Sequence, residues 1–126
     1  MSADRIWSDD EVRAKFTDPR FFDMSLEGCG RAFRLGTAVN LLDAVEDVRQ
    51  SAIPKLTAPF CVCHGTADAA VLVDGTHYLL EHAQTPEPDR AVLLQEGGYH
   101  DLFSEPSADE AVQFVIHFLD KRSEKP

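Results

Sequence analysis

The sequence predicts an α/β fold in which two parallel strands are flanked by helices. In the second half of the chain, two short apolar runs alternate with two segments of helical periodicity, which is the pattern of a βαβα unit. The runs, at 60–63 and 91–94, are apolar throughout and do not alternate with polar residues, as expected for parallel strands covered on both faces. Strands joined in this way pair in parallel through a right-handed crossover.

The first half of the chain is predicted to be mainly helical. Ser8 precedes three acidic residues and marks a helix start, because carboxylates are favoured near the positive end of the helix dipole. This helix must end before Pro19, since the residue before a proline disfavours helical geometry. A second helix is predicted over 37–50 from apolar residues at every third position, namely Val39, Leu42, Val45 and Val48. We therefore expect a helical segment over residues 1–51 and a βαβα unit over residues 52–126.

The remaining elements of the second half follow from local signals. Residues 53–59 form a linker, a helix is predicted over 75–83, and a turn-rich stretch at 84–89 precedes the second strand. Ser107 and Glu110 match a capping box and predict the start of the last helix. Its apolar stripe is expected to consist of Ala111, Val115, Phe118 and Leu119.

Composition excludes several classes of function. The chain has 12 basic against 22 acidic residues, a net charge of −10, which repels phosphate backbones, so no nucleic-acid partner is expected. Three cysteines without a spaced framework indicate a reducing compartment. The N-terminal residues lack the apolar core of a signal peptide, and no apolar run approaches the roughly 20 residues that span a bilayer. A cytoplasmic location is the resulting expectation.

A Cys-x-Cys-His run in the first strand leaves a metal site open as an alternative. Cys61 and Cys63 lie two apart and face the same side of the strand, with His64 next in the chain. No second ligand pair of suitable spacing appears, so small buried side chains are the favoured interpretation. No metal and no cofactor are predicted.

Two titratable residues follow the predicted strands at the positions where reacting groups gather. Asp68 comes shortly after the first strand, and His100 follows the second in a glycine-bearing loop. Ligands of open parallel sheets bind beyond the carboxyl ends of the strands. The strands of one βαβ unit are often adjacent, so the two loops are expected to meet. A carboxylate that holds an imidazole is the orienting half of an acyl-transfer triad, which makes Asp68 and His100 candidate catalytic residues.

The two motifs also carry a family resemblance. Residues 58–68 read APFCVCHGTAD and residues 96–102 read EGGYHDL, and together they resemble the C-terminal part of monoacylglycerol lipase-like α/β-hydrolases. These proteins are also described as serine aminopeptidase-like hydrolases or lysophospholipases. The resemblance implies that Asp68 is the triad acid and His100 the triad histidine. It further implies that TDP at 17–19 and LGTAVNLL at 35–42 belong to a lid over the acyl pocket, within the lid- or cap-like segment 1–51.

The family pattern also includes a nucleophile that this sequence does not show. Such hydrolases order the triad as serine, aspartate, histidine, with the serine in a Gly-x-Ser-x-Gly elbow. None of the chain's serines stands between glycines two residues away on either side. We therefore expect a fragment of a serine hydrolase that is inactive by itself. The alternative is a non-catalytic hydrolase remnant or interaction module.

The resemblance implies a substrate and a membrane contact, and the short sheet implies self-association. The complete parent enzyme would take a lipid or other small carboxylic ester as substrate, and its lid would make transient contact with a membrane surface. Because two strands leave edges unpaired, the chain expressed alone is expected to self-associate.

Overall fold

A computed structural model describes residues 5–18 and 35–123. The helices and strands are α1 (Asp10–Thr17), α2 (Leu35–Asp47), β1 (Phe60–Gly65), α3 (Asp74–His82), β2 (Arg90–Gln95) and α4 (Ala108–Ser123). Among these residues no helix combines the length and apolar character needed to cross a membrane. Part of the predicted lid segment, residues 19–34, lies outside the described residues.

The first helix begins one residue later than the sequence signal suggested. Asp9 is its N-cap, because its Oδ1 accepts hydrogen bonds from the backbone N–H groups of Glu11 and Val12, each at 2.9 Å. Ser8 does not cap the helix, because its N–H and its hydroxyl both donate to the carboxylate of Glu105. The predicted end before Pro19 is confirmed, since α1 stops at Thr17.

Helix α2 exposes the apolar face that its periodicity predicted. It passes into a π-helical turn at Val48–Ala52 and a 3-10 turn at Ile53–Lys55, so the predicted linker is partly helical. No residue of α2 is buried, and among its large apolar side chains the exposure reaches 81% at Leu35 and 68% at Leu42. The described part of the chain therefore leaves the apolar side of this helix without a covering element.

The two strands pair in parallel, as predicted from the sequence. The register runs from Phe60 opposite Arg90 to Gly65 opposite Gln95, so both strands end level with one another. The loops that follow them consequently leave from the same edge of the sheet. The α/β architecture is confirmed, with each strand two residues longer than predicted.

Helix α4 packs against both strands of the sheet. Ala111 is fully buried and Phe118 is 8% exposed, while the Cys63 Sγ lies 4.0 Å from the Ala111 carbonyl oxygen. The predicted stripe is wrong at Leu119, which is 57% exposed because it lies on the side of α4 that no described element covers. Burial, followed by the neighbouring Cys61, raises the pKa of the Cys63 thiol.

The alternative of a metal site in β1 is not assembled in the structure. Cys63 faces α4, whereas the side chain of the next residue, His64, reaches the hydroxyl of Thr76 in α3. Across residues 5–18 and 35–123, no three histidine, cysteine or acidic side chains converge as a metal site would require. Alternation along the strand places the thiol and the imidazole on opposite faces.

Candidate active site

The loops that follow β1 and β2 are joined by backbone hydrogen bonds. The N–H of Thr66 donates to the Gln95 carbonyl oxygen, and the N–H of Ala67 donates to that of Gly98, both at 3.0 Å. The Thr66 hydroxyl in turn accepts from the N–H of Gly97 at 2.8 Å. These cross-links fix the two loops relative to each other and set the distance between their side chains.

Glycine permits this close approach at two positions. A Cβ at residue 65 would overlap the backbone carbonyl of Gly98, so only glycine fits at the end of β1. Gly97 has a φ of +70°, the left-handed conformation that favours glycine, and it turns the second loop back toward the first. Both requirements come from the backbone geometry of the loops that carry Asp68 and His100.

The Asp68 carboxylate is almost fully buried and has partners at both oxygens. Its Oδ1 accepts from the N–H groups of Ala70 at 2.7 Å and Val71 at 2.9 Å, and its side chain is only 4% exposed. Burial alone would raise the pKa of Asp68, but the hydrogen bonds from Val71, His100 and Ala70 outweigh it and lower the pKa below its ordinary value. The carboxylate is therefore held in its ionised form.

His100 meets this carboxylate directly. Its Nδ1 lies 2.9 Å from the Asp68 Oδ2, and because an ionised carboxylate only accepts, the imidazole donates the hydrogen. The Nδ1–H tautomer leaves Nε2 unprotonated in the neutral ring, ready to take a proton. The His100 side chain stays 39% exposed, so a group from outside these loops can reach it.

The N-terminal segment supports the loop that carries His100. The Trp7 indole N–H donates to the Asp101 Oδ2 at 2.8 Å, and the Asp101 N–H donates to the Ile6 carbonyl oxygen at 3.1 Å. Ser8, next to Trp7, donates from its N–H to the carboxylate of Glu105 at 2.7 Å, four residues after Asp101. No pattern in the sequence connects residues more than ninety positions apart, so this support could not be predicted.

The His64 side chain bonds to groups near the Asp68 loop. Its Nδ1 lies 2.7 Å from the Thr76 Oγ1, and its Nε2 lies 3.0 Å from the Val71 carbonyl oxygen. The same Nε2 lies 3.4 Å from the Asp68 Oδ2, which was not foreseen. The four-residue spacing of His64 and Asp68 across a tight turn is the only signal that would have suggested it.

Comparison with known proteins agrees with this geometry. The family model described as "Serine aminopeptidase, S33" matches residues 18–107, a stretch that contains both Asp68 and His100. The chain belongs to this family of α/β-hydrolases. Membership confirms the resemblance seen in the two motifs, and the parallel pair with its helices is accordingly part of an α/β-hydrolase fold.

Two relatives within the wider group of hydrolases are monoglyceride lipases. The chain is 35% identical to a monoglyceride lipase of Homo sapiens and 33% identical to one of Rattus norvegicus, each over 89 residues. The matched stretch covers 71% of this chain but only 28% of either relative. Within its family the chain is therefore similar to monoglyceride lipases, and it spans less than a third of the length of these relatives.

Proposed function

We propose that this chain supplies the acid and the histidine of a serine hydrolase whose nucleophile lies outside residues 1–126. The pairing of Asp68 Oδ2 with His100 Nδ1 at 2.9 Å carries the proposal, because it is the contact that orients a general base. The absence of a Gly-x-Ser-x-Gly elbow from the sequence supports placing the serine elsewhere.

In the complete enzyme, His100 acts as base and then as acid. Its Nε2 takes the proton of the serine hydroxyl as the serine oxygen attacks the ester carbonyl, and it then returns the proton to the departing alcohol. Water, activated by the same nitrogen, releases the carboxylic acid from the acyl-enzyme. Asp68 stays ionised throughout and stabilises the imidazolium that forms in each step.

A lipid ester, an acylglycerol or a lysophospholipid, is the proposed substrate class. The similarity to monoglyceride lipases supports it, as do apolar side chains beside the candidate site. Val71 and Leu72, three and four residues after Asp68, are 50% and 65% exposed, and Phe103 after His100 is 59% exposed. Such side chains suit contact with an acyl chain better than contact with a polar substrate.

The proposal is tested by restoring the missing part of the fold. A chimera joins the N-terminal part of the human monoglyceride lipase, including its nucleophile, to residues 18–126 of this chain. A fluorophosphonate probe should label the chimera and leave this chain alone unlabelled, and the chimera should hydrolyse a monoacylglycerol. Asp68→Asn should lower kcat by roughly 10³ to 10⁴-fold, while His77→Gln, an exposed histidine of α3, serves as the matched control.

Two outcomes would contradict the proposal. Labelling of this chain alone would place a nucleophile within its 126 residues. A folded chimera that hydrolyses no ester would favour the alternative of a non-catalytic hydrolase remnant or interaction module.

A further inference from the structure

The His64 ring has a hydrogen-bond pattern that specifies one tautomer. Its side chain is 12% exposed, with Nε2 3.0 Å from the Val71 carbonyl oxygen and Nδ1 2.7 Å from the Thr76 Oγ1. A carbonyl oxygen can only accept, so Nε2 carries the hydrogen. In the neutral ring Nδ1 then accepts the hydroxyl hydrogen of Thr76, which is itself 5% exposed.

His64 is connected to Asp68 through one intervening residue, Val71. The Val71 carbonyl accepts from His64, while the Val71 N–H donates to the Asp68 Oδ1 at 2.9 Å. The His64 Nε2 also lies 3.4 Å from the Asp68 Oδ2, the oxygen that accepts from His100. His64 is therefore bonded to Val71, whose N–H binds one oxygen of the Asp68 carboxylate. The His64 ring itself lies next to the other oxygen.

We propose that His64 is a positioning residue that holds the Asp68 carboxylate in the orientation required by His100. Thr76 anchors the ring from the first turn of α3, and the ring anchors the loop from Asp68 to Val71. His64 exchanges no proton with the substrate and acts only through Asp68. The inference rests on the proposed function, in which Asp68 orients the general base.

Nitrogen NMR of the ¹⁵N-labelled chain tests the tautomer. In its neutral form, the His64 ring should show a protonated Nε2 and an unprotonated Nδ1. A neutral ring protonated at Nδ1 would overturn the proposal, because Thr76 could not then donate to it.

Exchange of the His100 Nδ1 proton with water tests the positioning role. Thr76→Val removes the hydroxyl at nearly constant shape and should speed this exchange roughly tenfold, the effect of losing one hydrogen bond. Thr76→Ser should restore the slow exchange, and His64→Gln should speed it at least as much as Thr76→Val. His77→Gln, on the exposed side of α3, should leave it unchanged.

A purely structural role gives a different result. If Thr76→Val lowers the unfolding temperature but leaves the His100 proton exchange unchanged, His64 does not position Asp68 and the proposal is wrong. Because exchange of the His100 proton involves no catalysis, it tests the positioning role of His64 independently of the proposed hydrolase function. An inactive chimera with these exchange effects intact would reject only the proposed hydrolase function.

Discussion

Asp68 contributes to stability only while it is ionised. Its pKa in the native state lies below the ordinary value of 3.8, because its hydrogen bonds with Val71, His100 and Ala70 outweigh the cost of burial. For a carboxylate with a lowered native pKa, the stabilisation is fully present above the unfolded pKa. It is lost as the pH falls through the native pKa.

The variant Asp68→Asn makes this dependence measurable. At pH near 5 it should lower the free energy of unfolding by about 1 to 3 kcal/mol, since it removes a charge-assisted bond to His100. The difference from wild type should shrink as the pH falls below about 4. Urea unfolding at a series of pH values measures it, with Asp120→Asn, an exposed carboxylate of α4, as control. A difference that stays constant or grows toward low pH would contradict the assigned role of the carboxylate.

At the scale of elements, the end of β1 leaves no room for a side chain. Gly65 lies against the Gly98 backbone, and the hydrogen bonds from Thr66 and Ala67 depend on this approach. Gly65→Ala should push the second loop away, separate Asp68 from His100, and destabilise the fold by about 1 to 3 kcal/mol. Thermal unfolding, together with NMR of the His100 ring, measures both effects.

Gly75→Ala is the matched control for this prediction. A Cβ at residue 75, in the first turn of α3, meets no atom within 4 Å. Alanine there should be neutral or stabilise by up to about 1 kcal/mol, because it restricts the unfolded chain. Equal destabilisation by both variants would mean that the contact with Gly98 does not hold the loops.

The elements differ in how far they could be predicted from sequence. β1 and β2 were recognisable because continuous apolar runs are typical of buried parallel strands, and the Asp68 and His100 motifs follow their ends directly. Leu119 was misassigned because periodicity identifies an apolar face of α4 but not which part of it a neighbour covers. The contact of Trp7 with Asp101 depends on the tertiary fold alone, and no local pattern encodes it.

At the scale of the whole molecule, the described part of the chain has more apolar surface than it can cover. Its sheet has two strands, so each strand keeps one edge that no described strand pairs. Exposed apolar residues lie on α2, on β2 and on α4, among them Leu42, Leu94 and Leu119. A two-stranded sheet is marginally stable by itself, so an additional strand from a second copy would stabilise it.

Self-association through the strand edges is therefore the prediction for the isolated chain. Sedimentation velocity should show dimers or larger species whose fraction rises with concentration. Leu94→Lys places a charge on β2, where lysine opposes edge pairing, and should shift the population toward monomer. Leu119→Lys adds the same charge to the exposed side of α4 and should leave the association intact. If only the α4 variant dissociates the complex, a helical surface and not the strand edges mediates the association. A sharp two-state thermal unfolding of a monomer would contradict the prediction, because it would show that the two strands need no partner.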